Sequence, residues 1–277
     1  MKKRWILILI TVVLLATVGI VIAKIKKGPL GSSSSDSVSV PVQKLLNEAS
    51  KYEAQGDELK AKEAYQQIVS DHPDYDKIEE IQKKVGDLNM SIIFSKEQTP
   101  QTEIYQVQPG DSLGKLSRQY NTTKELIKRS NGLKSDVIRV GENLRIWKAP
   151  FSVLVNKSQN ILILKSGDEV IKIYHVSTGK DSKDNATPVG TFKIATKIAN
   201  PVWFKSGGKP IPPESPENEL GSRWMGFDLD PHYGIHGTIH PEVVGENATA
   251  GCVRLKNPDV EELFDLLPVG TKITIEN

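Results

Sequence analysis

The chain has 277 residues, with 36 Lys and Arg against 34 Asp and Glu, so no global basic field marks it for nucleic acid. Residues 1–27 carry six of the basic groups and no acid, which leaves the rest slightly acidic. One cysteine and five scattered histidines lack the spacing of a zinc site, and no metal or other cofactor is implied.

Trp5–Ala23 is a run of 19 residues without a charge. At ~1.5 Å per residue a helix over it reaches roughly 28 Å, close to a hydrocarbon core of about 30 Å. Residues 1–27 are therefore expected to be a transmembrane anchor or signal segment, with the anchor retained and the remainder exported. Cleavage after Val21-Ile22-Ala23 is the alternative. The only cysteine is Cys252, so a lipid-modified anchor is excluded. Residues 28–40, rich in Ser and Gly, read as a flexible linker.

Residues 41–97 read as helices. Leu45, Ala49 and Tyr52 form one apolar stripe, and Ala61, Ala64, Tyr65 and Ile68 form a second. Gly56-Asp57 breaks the pattern and His72-Pro73 stops it. Leu45, Ala49, Tyr52, Ala61, Tyr65 and Pro73 fall where a tetratricopeptide repeat (TPR) places its signature, so the segment resembles one such repeat. It is either a TPR-like surface for a protein partner or a plain helical spacer.

Residues 104–148 predict a small β-α-α-β unit. Ile104–Val107 is a strand, Asp111 or Ser112 caps a helix through Tyr120, and Thr122 with Glu125 forms a capping box for a second helix. Asn131-Gly132 ends that helix and Asn143–Trp147 returns as a strand. Tyr105, Val107, Gly110, Asp111, Leu113, Leu116, Asn131, Leu133, Gly141 and Leu144 together resemble a LysM module. The resemblance implies binding to the N-acetylglucosamine-containing glycan of peptidoglycan or chitin.

Residues 151–277 change to short β-rich runs, FSVLV, NILILKS and EVIKIYHV, joined by polar turns. They predict an antiparallel meander opening a mostly-β domain. Asn200–Arg223 is a long irregular insertion with five prolines, a length that points to function. Pro258–Leu267 predicts a helix and Thr271–Glu276 a closing strand.

The chemistry concentrates in IHGTIHPEVVGENATAGCVRL, residues 235–255. A thiol is strongly nucleophilic only as thiolate, and an imidazole can take its proton. Cys252 is the candidate nucleophile and His236 the candidate general base and acid. If the imidazole holds the thiolate as an ion pair, the thiol pKa is expected well below the ~8.5 of a free cysteine. Arg254 supplies a fixed charge able to grip a carboxylate. His175 reads as structural and His240 as dispensable.

IHGT followed by TAGCVRL resembles the active-site signature of the YkuD-type L,D-transpeptidases, which cross-link peptidoglycan. Thr249, Gly251, Cys252 and Arg254 match, whereas Ala250 stands where the pattern has a second histidine. Ser177-Thr178-Gly179 and the TPVGTF run at 187–192 are also similar to the family. The resemblance implies a thioester acyl-enzyme on Cys252 and an orienting carbonyl at Gly237. It also implies oxyanion amides near Gly251, and substrate contacts from Arg254, Thr249, Trp203 and Trp224. It further implies stem peptides as substrate and a bacterial cell envelope location. An L,D-carboxypeptidase and a non-enzymatic wall-binding scaffold are the alternatives.

Overall fold

The computed structural model describes residues 40–180, 185–204 and 208–277. The expected membrane anchor and most of the expected linker lie outside the described residues, among which no helix is long and apolar enough to cross a membrane. The chain divides into two compact units, one ending at Ile92 and the other covering the chain from Ile93 onward apart from residues 170–172.

The first unit holds three helices, α1 (Val40–Gln55), α2 (Glu58–Asp71) and α3 (Ile78–Phe94, whose last two residues belong to the second unit). The apolar stripes read from the sequence meet, and Ala49, Ala64, Tyr65, Ile68 and Val85 share one buried cluster. Asp57 caps α2 by accepting the Lys60 N–H at 3.2 Å.

The second unit begins with β1 (Thr102–Gln106), α4 (Leu113–Gln119), α5 (Lys124–Asn131) and β2 (Asn143–Trp147). The two strands pair antiparallel and, with the helices, close over Val107, Leu113, Leu116, Ile127, Leu144 and Ile146. Ser112 caps α4 as expected, but the cap of α5 is Thr123 and not Thr122. Thr123 has the extended backbone a cap needs, and its Oγ1 accepts the Leu126 N–H at 2.9 Å. Thr122 is buried and its hydroxyl has no partner.

An eight-stranded mixed sheet follows, in the order β11-β9-β8-β7-β12-β3-β4-β5. Its strands are β3 (Phe151–Asn156), β4 (Ile161–Ser166), β5 (Glu169–His175), β7 (Gly190–Ala199), β8 (Arg223–Phe227), β9 (Gly234–His236), β11 (Val253–Arg254) and β12 (Lys272–Glu276). A separate short pair joins β6 (Thr178–Gly179) to β10 (Asn247–Thr249). The meander β3-β4-β5 is as expected. The closing strand β12 does not sit at an edge but inside the sheet, parallel to β3 and antiparallel to β7. Helix α6 (Asn257–Leu266) packs across β8 and β9, burying Val260, Leu263 and Leu266. Among the described residues the domain is mostly β, and α6 starts two residues after the end of the site motif.

Candidate active site

Two short parallel strands build the site. β9 ends on His236, and β11 pairs with it in register, Val253 opposite Ile235 and Arg254 opposite His236. Cys252 immediately precedes β11, so period-two alternation puts Cys252 and Arg254 on the face that carries His236. Ile235, Val253 and Leu255 are fully buried and fix both strands to the core.

The imidazole of His236 is buried, and its Nδ1 lies 2.7 Å from the carbonyl oxygen of Gly237. A carbonyl only accepts, so Nδ1 carries the hydrogen and Nε2 is left as the acceptor. The ring of Trp224, opposite His236 on β8, stacks against the imidazole at 5.9 Å and 26°. Burial first, then the Arg254 charge, lowers the imidazole pKa to about 4, and the Gly237 hydrogen bond offsets only part of this. His236 is therefore a neutral base at physiological pH.

The thiol differs from the sequence expectation. Cys252 is half-buried, and desolvation pushes its pKa up to about 11, with a Gly234 backbone hydrogen bond and the Arg254 charge pulling it partway back. Its Sγ donates to the carbonyl of His232 at 3.2 Å rather than to the imidazole. The resting pair is thus neutral thiol and neutral imidazole, not an ion pair. Burial opposes charge on both groups.

Thr249 ends β10, three positions before Cys252. It is buried, its Oγ1 donates to the Cys252 carbonyl at 2.7 Å, and the same oxygen accepts the Gly251 N–H at 3.2 Å. It holds the turn that presents Cys252. Gly251 has φ +115°, and a Cβ there would lie 2.6 Å from the Tyr233 ring, which accounts for glycine in the motif. Ala250 is exposed, so the position of the missing histidine faces solvent.

Arg254 is mostly buried, and its Nη2 reaches Glu219 Oε2 of the insertion at 3.4 Å. Its Nε is buried without a partner. The guanidinium thus retains an unsatisfied donor beside a carboxylate. Trp203 lies in the insertion, joined to Ile211 by two backbone bonds of 2.9 Å, and Phe204 beside it is exposed. The sequence reading missed Glu219 and the His232 carbonyl. It also missed Asn218, whose buried amide ties the insertion together through bonds to the Pro201, Ile211 and Pro212 carbonyls.

A buried, singly oriented imidazole thus shares one face of the strand pair with a lone thiol and an arginine that reaches the long insertion. The catalytic-domain profile of the L,D-transpeptidases, YkuD type, matches residues 150–275, and a LysM profile matches residues 105–147. YqjB of Bacillus subtilis, itself a candidate L,D-transpeptidase, is 42% identical over 127 residues, which are 44% of this chain and 69% of that protein. YkuD of Bacillus licheniformis, likewise a candidate, is 30% identical over 179 residues, 62% of this chain and 98% of that protein. The solved structure of L,D-transpeptidase 3 from Mycobacterium tuberculosis with a faropenem-derived adduct is 17% identical, covering 50% of this chain and 66% of that one at a TM-score of 0.40. The chain belongs to the L,D-transpeptidase family and carries a LysM domain ahead of its catalytic domain.

Proposed function

We propose that the chain cross-links peptidoglycan stem peptides by a two-step acyl transfer through Cys252. In the first step Sγ attacks the carbonyl at the L-centre of the third residue of a tetrapeptide stem. The thiol proton passes to Nε2 of His236 as the carbon–sulfur bond forms. The tetrahedral intermediate collapses, His236 returns the proton to the departing amine, and terminal D-alanine leaves, giving a thioester. In the second step an amine of another stem attacks the thioester and loses its proton to His236, which returns it to the leaving thiolate. The product is an L,D cross-link.

The observation that carries this reading is the Nδ1–H bond to the Gly237 carbonyl, because it fixes Nε2 as the proton acceptor on the strand beside Cys252. His236 Nε2, unprotonated at neutral pH, is the acceptor available to take the thiol proton as the new bond forms. Arg254 is the candidate grip for a substrate carboxylate, and Trp203 and Trp224 are candidate substrate contacts. The LysM domain holds the enzyme on glycan, the envelope is the place of action, and an N-terminal anchor would tether it there. The helices of residues 41–97 serve as a spacer.

The test is mass analysis of purified disaccharide-tetrapeptide after incubation with the protein. Dimer formation that vanishes in Cys252→Ala is the expected result. Trimmed monomer without dimer would assign a carboxypeptidase instead, and unchanged substrate would leave a wall-binding scaffold.

A further inference from the structure

His236 is aimed by a peptide group, and that group is itself held from behind. The carbonyl of Gly237 and the N–H of Thr238 belong to one peptide plane and point in opposite directions across it. The carbonyl accepts the His236 Nδ1–H at 2.7 Å, and the Thr238 N–H donates to Oδ1 of Asn257 at 3.1 Å. The same Oδ1 accepts the N–H of Ser222 at 3.1 Å, where the insertion rejoins β8. Both partners are donors, so the shared atom is the carbonyl oxygen of the Asn257 amide and not its nitrogen.

The space for this oxygen exists because two side chains are missing. A Cβ on Gly237 would lie 2.1 Å from Oδ1, and one on Gly221 would lie 2.2 Å from it. Asn257 opens α6, whose cap is Lys256 with no side-chain bond, so its side chain is not used for its own helix. Gly237 is held in turn by its own N–H, which donates to the Arg223 carbonyl at 3.2 Å.

We propose that Asn257 is the positioning residue for the base: its side-chain oxygen aims the Gly237–Thr238 peptide, and that peptide selects the Nδ1–H tautomer of His236. Acceptance of the Thr238 N–H also polarises the Gly237 carbonyl and strengthens its hold on the imidazole. One oxygen thereby joins the helix, the insertion and the catalytic strand. The inference rests on the reading of His236 as the base.

The test compares Asn257→Leu, which keeps size and loses the acceptor, with Asn257→Asp, which keeps the acceptor. In the leucine variant kcat for stem-peptide cross-linking should fall by about 10²-fold with KM little changed, the scale of a misaligned catalytic group. Its His236 Nδ1–H proton resonance should broaden or vanish, and the ring nitrogen shifts should move toward mixed tautomers. Asn257→Asp should recover much of both signals. Asn257→Ser, a milder lesion, serves if the leucine variant does not fold, and should show the same pair of changes in smaller degree. Turnover and an imidazole resonance like wild type in the leucine or serine variant would overturn the proposal, as would an aspartate variant no better than leucine. The resonance is read without substrate. A wild-type protein that neither links nor trims stems would therefore sink the catalytic reading and leave the clamp to be judged separately.

Discussion

At Cys252 and His236 the proton inventory sets how the protein answers pH. The imidazole pKa falls from its ordinary 6.5 to about 4, chiefly through burial, a difference worth roughly 3 kcal/mol. A depressed pKa means that the unfolded chain takes the proton first. Stability is therefore complete above about 6.5 and is lost as pH falls toward 4. Urea unfolding at pH 7 and pH 4.5 should show a larger loss for wild type than for His236→Gln, and equal losses would show that the imidazole is not buried neutral. The thiol runs the other way. With its pKa near 11, iodoacetamide alkylation of Cys252 should climb steeply through pH 9–11. A rate already at its plateau below pH 8 would mean that the site holds a thiolate after all. Arg254 faces Glu219 at 3.4 Å, a partly exposed pair that water screens and that is worth at most about 1 kcal/mol. Glu219→Gln should free the guanidinium and lower KM for a carboxylate-bearing stem by up to about fivefold, the equivalent of that energy. A KM that rises instead would make Glu219 a substrate contact.

Elements with a strong internal period were legible before any coordinates, and those defined by distant partners were not. The stripes Leu45–Tyr52 and Ala61–Ile68 predicted α1 and α2, and Gly132 marked the end of α5. β12 was readable as a strand, but its place between β3 and β7 depends on pairing across the whole domain. β9 and β11 hold three and two residues, too few to carry a period, and only the motif between them marked the region. Cys252 and His236 were found by residue type and spacing. Asn218 and Asn257 were not, because an asparagine bonded to remote backbone looks in sequence like any loop asparagine. The insertion makes this testable. Asn218 is 1% exposed and also accepts the Leu220 N–H at 3.0 Å. Asn218→Ala leaves buried backbone groups short of partners, at a cost of about 1–3 kcal/mol. Amide exchange across residues 208–222 should accelerate while that of β3 and β4 stays as in wild type. Unchanged exchange at Leu220 would show that the prolines alone hold the loop.

For the molecule as a whole, the LysM domain touches the catalytic domain at the far end of the helix that Asn257 begins. The last carbonyls of a helix lack partners within it. In α6 they are met from two sides. Lys197 of β7 donates to the Phe264 and Leu267 carbonyls at 2.5 and 2.7 Å, although burial lowers its pKa to about 8. From the LysM side, Thr123 Oγ1 donates to the Asp265 carbonyl, and Arg129 pairs with the Asp265 carboxylate at 2.7 Å. Removing residues 104–148 takes away the second set, a hydrogen bond worth about 1 kcal/mol and a half-exposed ion pair worth less, together with the Trp147 ring, which stacks on Phe151 at 5.9 Å and donates to Ser166 Oγ at 3.1 Å. The truncated catalytic domain should fold, with Tm lower by roughly 2–8 °C for the hydrogen bond and ion pair, about 1–2 kcal/mol at this size, and further for the loss of Trp147. Its activity on soluble disaccharide-tetrapeptide should persist while activity on intact sacculi falls. The double variant Thr123→Ala, Arg129→Ala separates the two effects, since it cuts the contact but keeps the domain. It should reproduce part of the Tm loss, some of it from the lost cap of α5, since Trp147 stays in place, and still sediment with sacculi. If the truncated protein instead loses both substrates alike, and the double variant does the same, LysM acts by supporting α6 and the base beneath it, and glycan tethering is not its main contribution.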